Sequence, residues 1–244
     1  MRKSTKQRRT SLLVKVFLFV AIPLATLLFL WLLTLPDVAS LRSTNPTTTA
    51  LIEAREAQAK AKGLSIGRYW IWVPLSRISP HLRRAVVAAE DAAFFTHEGF
   101  DWEGMKDAVL YDLEKGELKR GGSTITQQLA KNLYLSSERS IFRKAHEALI
   151  TRSLEHRLSK ERILELYLNV AEWGSGVYGA EAASRHHFRK PARDLSEDEA
   201  AWLAAILPSP RRYDPLRKTM ALTNRYERIL HRMNRATRYP TQTE

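Results

Sequence analysis

Cysteine is missing from this chain of 244 residues, so neither a disulfide framework nor a thiolate metal site can exist. Several catalytic patterns are missing as well. The sequence contains no His-Glu-x-x-His zinc pattern, no Gly-x-Ser-x-Gly nucleophile elbow, no phosphate-binding P-loop and no Ser-x-x-Lys acylation pattern. Its seven histidines lack the spacing of a zinc site. These absences exclude several common classes of hydrolase and nucleotide-binding protein.

Charge of either sign is absent from the twenty residues Val16–Leu35, a run long enough to cross a bilayer core as a helix. The basic residues before this run, with no acid among them, predict a cytoplasmic tail at 1–15. We therefore expect a single transmembrane helix at 16–36, with everything after it outside the cytoplasm. A cleaved signal peptide and a buried helix fit less well, because the former has a shorter apolar stretch and the latter a polar face.

Acidic residues are scarce: 26 Asp and Glu oppose 39 Lys and Arg, which gives a formal net charge of +13. Much of the excess lies in residues 208–244, where nine basic residues face three acids. Such a segment attracts anionic lipid head groups or a phosphate-bearing substrate. We expect it to help seat the domain on anionic lipid. A nucleic-acid partner is not expected, since an exported domain rarely meets nucleic acid.

The remaining chain divides into three parts. Residues 37–67 are predicted as a linker and stalk, because a Ser/Thr/Asn/Pro stretch precedes a short charged helix, Ala50–Lys62, that a glycine stops. Residues 68–215 are predicted as one mainly α domain, in which Tyr69–Val73 is the only strand signal. Residues 216–244 form the basic C-terminal segment.

Capping residues mark the starts of the predicted helices in this domain. These helices begin at Ser79-Pro80 and run to about Ala92, begin at Ser123 and run to about Leu133, cover Phe142–Leu158, begin at Ser159, and begin at the Ser196–Glu199 capping box and end at Pro208. The fold class is therefore mainly α.

Glu90 and Asp91 fall at the end of the first of these helices. The helix dipole disfavours an ionised carboxylate there, and partial burial would also raise the pKa of Glu90, which suits a general base. The plain alternative is a solvated acidic pair that ends a helix. The neighbouring Phe94, Phe95 and His97 favour a less solvated position.

A second polar cluster, Gly121–Asn132, begins with two glycines. Backbone N–H groups exposed at a helix N-terminus bind anions. Thr124, Gln128 and Lys131 recur at i, i+4 and i+7, so one helical face would carry a hydroxyl, an amide and an ammonium. This face suits a phosphate-bearing sugar, although an ordinary amphipathic helix with a wet side would show the same spacing.

Arg143 and Glu147 are i, i+4 neighbours in a later predicted helix. Taken alone, they indicate no more than a surface salt bridge worth about 0.2–0.5 kcal/mol. Their significance depends on the blocks around them.

Five sequence blocks occur in order: EDAAFFTHEGFD, GGSTITQQLAKNLYL, RKAHEAL, KERILELYLN and GSGVYGAEAA. Together they resemble the monofunctional members of the bacterial peptidoglycan glycosyltransferase family, whose transferase domain also forms the N-terminal half of bifunctional penicillin-binding proteins. The resemblance covers roughly Tyr69–Pro215. It departs from the usual Tyr-Phe-Gly-Lys of the family at His187-Phe188-Arg189-Lys190, outside the catalytic blocks.

This resemblance implies a lysozyme-like glycosyltransferase domain behind the transmembrane helix, with a cleft that opens beside the membrane. The implied reaction polymerises lipid II, a disaccharide-pentapeptide on a polyprenyl pyrophosphate, into β-1,4 glycan strands. The implied location is the bacterial inner membrane, with the catalytic domain in the periplasm. The expected partners are lipid II, the growing glycan chain and membrane lipids, together with other cell-wall synthesis or division proteins.

By the same resemblance, Glu90 is the general base, Glu147 is a second essential carboxylate, and Lys131 and Arg143 bind the pyrophosphate. The other matching positions, which shape the cleft, are Asp91, Phe94, His97, Ser123, Thr124, Gln128 and Asn132. No tightly bound cofactor is expected, although a divalent cation, Mg²⁺ or Mn²⁺, could help to neutralise the pyrophosphate. Glu147 could orient Arg143 or hold such a cation, and the sequence leaves both roles open.

Two other functions remain as alternatives. A lytic transglycosylase or lysozyme-like hydrolase would need one acidic Glu but would have no use for Lys131 and Arg143 beside a pyrophosphate site. A non-catalytic scaffold of the cell-wall machinery would not need Glu90 and Glu147.

Overall fold

The computed structural model describes residues 3–65, 67–115, 122–136, 138 and 140–235. Three parts of the predicted features lie outside the described residues: residues 1–2 of the basic tail, Gly121 at the start of the second polar cluster, and residues 236–244 of the C-terminal segment. The chain divides into two compact units, Met1–Asp37 and Val38–Glu244.

The structure is mainly helical, as predicted. Its helices are α1 (Lys3–Leu32), α2 (Ala50–Ala61), α3 (Pro80–Glu90), α4 (Trp102–Lys115), α5 (Ile125–Tyr134), α6 (Ile141–Arg157), α7 (Lys160–Val170), α8 (Ala180–Phe188), α9 (Glu197–Ile206) and α10 (Met220–Arg235), and its strands are β1 (Tyr69–Trp70), β2 (Glu172–Gly174) and β3 (Val177–Tyr178).

The first unit consists mainly of α1, which contains Pro23. Large apolar side chains along its second half are exposed, and Phe19 has 84% of its surface accessible. Within the described part of the chain, no helix combines the length and the apolar character needed to span a membrane. The transmembrane helix at 16–36 stays a prediction.

The second unit is built around α5. Its side chains Ile125, Leu129 and Leu133 recur every four residues and are buried, so one apolar stripe faces the core. The helix contacts α2, α6 and α7. Most of α7 is buried, because it lies between other elements rather than at the surface.

A second group of helices consists of α3, α9 and α10. Helix α9 is apolar on nearly all sides and is buried accordingly. Helix α10 packs on it, with the rings of Trp202 and Tyr226 stacked at 4.1 Å between centroids and 8° between planes. Leu222, Ile229 and Met233 bury the apolar face of α10. Part of the basic C-terminal segment is therefore a packed helix of the domain.

Helix α2 lies within 37–67, the predicted linker and stalk. Its residues Ile52 and Ala59 are buried, and the helix packs on α5. Arg55 Nη2 forms an ion pair of 2.8 Å with Glu172 Oε2 in β2. This helix thus packs as part of the second compact unit.

A small three-stranded sheet has the order β1-β3-β2. Strand β1 is parallel to β3, with Tyr69 opposite Val177, and β2 is antiparallel to β3. Asn169 at the end of α7 ties the sheet to the helices, because its amide both donates to the Val73 carbonyl and accepts from the Val73 N–H. Only β1 was predicted from the sequence, since strands of two or three residues are too short to show alternation.

Most of the predicted helix caps are confirmed, including Ser79, Ser159 and the Ser196–Glu199 capping box. The prediction that Ser123 caps α5 is wrong. The cap is Thr124, whose hydroxyl accepts from the Gln127 N–H while the Gln127 side chain accepts from the Thr124 N–H. A capping box needs Glu or Gln three residues after the cap, and Gln127 meets that condition only for Thr124.

Candidate active site

Glu90 and Gln128 meet where the end of α3 faces α5. Gln128 Nε2 donates a hydrogen bond of 2.8 Å to Glu90 Oε2. The Tyr167 hydroxyl, on α7, donates to Gln128 Oε1 at 3.0 Å. Because Tyr167 engages the amide oxygen, the amide N–H₂ of Gln128 faces the carboxylate. Three helices thus contribute one side chain each to a short chain of hydrogen bonds that ends at Glu90.

Glu90 is the last residue of α3 and is only partly exposed. Burial raises the pKa of Glu90 above its ordinary value of 4.5, although the hydrogen bond from Gln128 and the charges of Arg225 and Lys131 act in the opposite direction. The predicted direction of the pKa shift is therefore confirmed. A carboxylate with a raised pKa is a better proton acceptor once ionised, which suits general base catalysis.

Asp91 ties the end of α3 to the following loop and to the start of α5. Both its carboxylate oxygens lie 3.0 Å from His97 Nε2, and Oδ2 also accepts from the Ile125 N–H at 2.9 Å. The Gly99 N–H donates to His97 Nδ1, so Nε2 is the protonated nitrogen that donates to Asp91. The carboxylate also lies favourably at the N-terminal end of the α5 dipole. Asp91 thereby fixes the backbone beside Glu90.

Other residues predicted to shape the cleft divide into lining and supporting positions. Ser123 and Thr124 line the cavity that contains Glu90, and Asn132 lines its neighbour. The Thr124 hydroxyl also donates to the Gly99 carbonyl at 2.7 Å. Phe94 lines neither cavity, because it is fully buried with the Lys160 ammonium 4.6 Å from its ring centroid. It supports the loop that carries His97.

Basic side chains surround Glu147 on α6. Arg143 Nη1 donates to Glu147 Oε2 at 2.7 Å, and the Lys144 ammonium donates to Glu147 Oε1. Glu147 is only 3% exposed. The pair is therefore no ordinary surface salt bridge, since its carboxylate is buried and both carboxylate oxygens are engaged by cations.

Lys131 lies near this cluster on α5. The surrounding protein removes part of the hydration of its ammonium and lowers the pKa of Lys131, while the charge of Glu147 acts in the opposite direction and the charges of Arg143 and Lys144 lower it further. An additional negative group would offset the repulsion among these cations. The cluster is thus suited to an anionic ligand.

Two cavities flank the bond between Glu90 and Gln128. The first, of about 390 Å³, is lined by Glu90 and by three arginines of α10, namely Arg225, Arg228 and Arg232. The second, of about 380 Å³, is lined by Gln128, Lys131 and Arg143. Pro208 lines both cavities, so the two cavities adjoin. The hydrogen bond therefore joins Glu90 in the wall of the first cavity to Gln128 in the wall of the second, and the two cavities are similar in size.

Several residues of the site were not predicted from the sequence. Lys144 could have been found, because it lies three residues before Glu147 and so on the same helical face. Tyr167 fits an apolar helical stripe, which hides its bond to Gln128. Arg55 and Arg225 carry no local signal, since only the tertiary fold brings α2 and α10 to the cavities.

In the described part of the chain, the side chains around Glu147 do not form a metal site. Among the described residues, no group of three or more His, Cys, Asp or Glu side chains could hold one. Glu147, which the sequence left open as a metal ligand, already accepts from Arg143 and Lys144 with separate oxygens. Its geometry favours the alternative role, orientation of the cations.

Comparisons with known proteins assign this chain to a family. Residues 59–234 match the family model described as Transglycosylase. A protein of Laribacter hongkongensis named "Biosynthetic peptidoglycan transglycosylase" is 52% identical over 190 residues, which cover 78% of this chain and 83% of that protein. Proteins of the same name from Chromobacterium violaceum and Neisseria gonorrhoeae are 56% identical over 162 residues (66% of this chain, 71% of the relative) and 42% identical over 217 residues (89% and 93%). This chain therefore belongs to the transglycosylase family.

Proposed function

We propose that this chain is a peptidoglycan glycosyltransferase that polymerises lipid II into β-1,4 glycan and releases polyprenyl pyrophosphate. The family match and the names of the relatives support a transferase that acts on peptidoglycan. The observation that carries the proposed chemistry is the Glu90–Gln128 hydrogen bond beside a cavity lined by Lys131 and Arg143. This arrangement of Glu90 beside Lys131 and Arg143 combines a proton acceptor with a site for a negatively charged leaving group.

The proposed reaction is a direct displacement. A sugar hydroxyl of the acceptor attacks the anomeric carbon of the donor, and Glu90 takes the proton of that hydroxyl. The new C–O bond forms as the bond between the anomeric carbon and the diphosphate oxygen breaks, and the electron pair leaves with the polyprenyl diphosphate. Displacement inverts an α-linked donor into a β-linked product.

The leaving diphosphate needs neutralisation of charge rather than a proton. Lys131, Arg143 and Lys144 supply positive charge for this purpose on one side of Glu90. Glu147 holds the side chains of Arg143 and Lys144 in place through its two oxygens. We assign it as a positioning residue. The arrangement requires no tightly bound cofactor, and an Mg²⁺ or Mn²⁺ ion at the pyrophosphate would be held by the diphosphate oxygens.

We further propose that residues 16–36 anchor the chain in the inner membrane, with the tail cytoplasmic and the domain periplasmic. The uncharged run and the exposed apolar side chains of α1 support this proposal. An anchor would hold the cleft at the depth of the lipid-linked diphosphates. It also makes membrane lipids partners of the chain, alongside other cell-wall synthesis or division proteins.

The two alternatives explain less of the site. A lytic transglycosylase or lysozyme-like hydrolase has no diphosphate to neutralise, yet Arg143 and Lys144 gather around Lys131, whose charge acts on Glu90. A scaffold does not need Glu90 to be desolvated and hydrogen-bonded. The lysozyme-like form of the domain stays a prediction.

The test is polymerisation of fluorescent lipid II by the purified full-length protein. We expect glycan ladders from the wild type and a loss of at least about 100-fold in rate for Glu90→Gln, because general base catalysis contributes about 10²–10⁴-fold. The matched control is Glu98→Gln, which removes a carboxylate exposed at the surface.

Glu90→Gln should fold normally, since it removes a carboxylate whose burial is unfavourable. The folded-state pKa of Glu90 is raised above 4.5, so the contribution of Glu90 to the free energy of unfolding decreases as the pH rises from 4.5 through the folded-state pKa. Glu90→Gln does not titrate and therefore lacks this decrease. Ladders formed by Glu90→Gln at the wild-type rate would rule out Glu90 as the base. Cleavage of finished glycan without polymerisation would favour the hydrolase.

A further inference from the structure

The chain segment 38–45 follows the predicted anchor and belongs to the second compact unit. Val38 and Leu41 are buried, with 1% and 4% of their surface exposed, and a 3₁₀ helix covers Ala39–Arg42. These residues lie at the start of the predicted linker. The domain therefore begins to pack at Val38, directly after the predicted anchor.

Arg162, near the start of α7, is hydrogen-bonded to this segment. Its Nε donates to the Leu41 carbonyl at 2.8 Å, and its Nη2 donates to the Thr44 carbonyl at 2.9 Å and to Asn45 Oδ1 at 2.8 Å. The side chain of Arg162 is only 16% exposed. Its planar guanidinium meets three acceptors at fixed angles, which the single ammonium of a lysine does not reproduce.

Further contacts hold Arg162 in this orientation. Its Nη1 pairs with Glu165 Oε1 on the same helix, and the second oxygen of that carboxylate accepts from the Leu75 N–H at 2.9 Å. The guanidinium carbon lies 5.8 Å from the centroid of the Trp72 ring. The geometry of Arg162 is therefore set by parts of the domain other than segment 38–45.

A second contact attaches the segment to α6. Arg42 Nε donates to the Arg157 carbonyl at 2.6 Å, at the C-terminal end of this helix. The helix dipole favours a cation at that position. Segment 38–45 is thus attached to α6 and α7, the helices that carry Glu147 and Tyr167 of the candidate site.

These contacts set the length of free chain between the predicted anchor and the domain. The predicted anchor ends at residue 36, so Asp37 alone separates it from the buried Val38. Without the contacts, the next packed element is α2, which begins at Ala50, and the free chain covers residues 37–49. A flexible chain of n residues spans about 5–6 Å × √n, which gives about 6 Å for one residue and about 20 Å for residues 37–49.

We propose that Arg162 is a positioning residue that keeps this tether short and thereby concentrates lipid-linked substrate at the cleft. The inference rests on the proposed function and its anchor. A substrate with a polyprenyl tail stays at the bilayer surface, and a short tether confines the cleft to the same layer. Effective concentration falls roughly as the −3/2 power of tether length, so a tether about 13-fold longer lowers it by at most about 50-fold. Arg162 lines neither of the two cavities, so it acts on the supply of substrate rather than on the chemical step.

The test is polymerisation of lipid II by the full-length protein in phosphatidylcholine vesicles, with the surface density of lipid II varied. For Arg162→Gln we expect the KM for lipid II to rise about 10-fold, because the tether lengthens, and kcat to stay within about 2-fold. With a water-soluble lipid II analogue that carries a short chain, the KM of the variant should match the wild type, since a tether does not concentrate a dissolved substrate. Trypsin should cut after Arg42 faster in the variant than in the wild type.

Further variants separate tether length from charge. Arg152→Gln removes an arginine of α6 whose side chain is 63% exposed, and its KM should match the wild type. Arg162→Lys keeps the charge but not the three hydrogen bonds, so its KM in vesicles should rise as for Arg162→Gln.

A flexible insert of about twelve residues after Asp37 lengthens the tether and leaves the bonds of Arg162 intact. It should raise the KM in vesicles about as much as Arg162→Gln, and it keeps the test informative if the Arg162 variants fold poorly. Combined in one protein, the two changes should raise the KM by less than the product of their separate effects, because both act on the same tether.

Three outcomes would overturn the proposal. An unchanged KM for Arg162→Gln in vesicles would show that the supply of substrate does not depend on Arg162. An equal rise in KM with the water-soluble analogue would show a general distortion of the domain. A wild-type KM for the insert would show that tether length does not control access to the substrate. The proposed function fails separately, because it requires that the wild type forms glycan ladders at all.

Discussion

The cleft has a centre, formed by Glu90, Asp91 and Glu147, and two flanks, formed by α2 and α10. The centre and the flanks hold their charged side chains differently. In the centre, Glu90, Asp91 and Glu147 each accept hydrogen bonds from named partners, and all three are at least partly buried. In the flanks, the α10 arginines have no acidic partner among the described residues, and Arg55 of α2 has one. The comparison teaches that hydrogen bonds fix the carboxylates of the centre, whereas acidic side chains of the described residues do not neutralise the arginines of α10.

After that of Glu90→Gln, the largest effect is expected at the centre, for Glu147→Gln. Gln has one acceptor oxygen and an NH₂ donor in place of the second, so it cannot accept from Arg143 and Lys144 at both positions, and one of them would lose its partner. We expect the polymerisation rate to fall about 100-fold, as for loss of a preorganised electrostatic contact. The free energy of unfolding should fall by about 1–3 kcal/mol, measured by urea denaturation, because a buried hydrogen-bonded charge is replaced.

Inhibition by inorganic pyrophosphate should weaken in the same Glu147→Gln variant, which distinguishes lost positioning from a general loss of fold. The exposed pair of Glu98 and Arg152 offers a control, and Glu98→Gln should change neither rate nor pyrophosphate inhibition. A polymerisation rate within 2-fold of the wild type for Glu147→Gln would show that Glu147 is not needed to position Arg143 and Lys144.

A smaller effect is expected for Gln128→Ala, in the pH dependence of kcat/KM. The Gln128 amide favours the ionised form of Glu90, so its removal raises the pKa of Glu90 further. The acidic limb of the profile, where Glu90 becomes protonated and activity is lost, should therefore move to higher pH. Tyr167→Phe removes the group that orients the amide and should move the limb less, in the same direction. A limb that moves to lower pH would contradict the assignment of Glu90.

The smallest effect on catalysis is expected on the flank, for Arg55→Gln. Its partner Glu172 is buried and already has a raised pKa, so loss of the guanidinium leaves a less favourable carboxylate. We expect thermal stability to fall most at high pH and to recover as the pH falls and Glu172 becomes protonated. The rate should stay within about 3-fold of the wild type, because the ion pair is separate from the bonds to Glu90. A loss of polymerisation rate as large as that of Glu147→Gln would contradict the separation of the centre from the flanks.

The centre was largely predictable from the sequence, because its residues lie in short blocks with helical spacing. Glu90 at the end of α3, and Gln128 and Lys131 on one side of α5, follow from such spacing. The cap of α5 was misplaced by one residue, since two adjacent hydroxyl residues compete for that position. Tyr167 could not be found, because an apolar stripe and a hydrogen-bonding tyrosine look alike until the opposite helix is known.

The flanks could not be predicted, because their role depends on contacts between distant parts of the chain. The charge of 208–244 was visible in the sequence, but charge alone does not distinguish a lipid-facing helix from one that lines a cavity. Likewise, the short helix α2 reads as part of a stalk until its burial against α5 is seen.

The hydrogen bonds that dock α10 on α3 also bear on the order in which the domain folds. The hydrogen bond from the Ile125 N–H to Asp91 joins residues 34 positions apart, whereas the bond from Arg232 to the Ala88 carbonyl joins residues 144 positions apart. Because closing a longer loop costs more entropy, and because the end of a chain is synthesised last, we expect α10 to dock after the centre has formed. A chain that lacks α10 would thus carry Glu90, Lys131 and Arg143 but only one complete cavity. Docking of α10 would then be the step that completes the cavity beside Glu90.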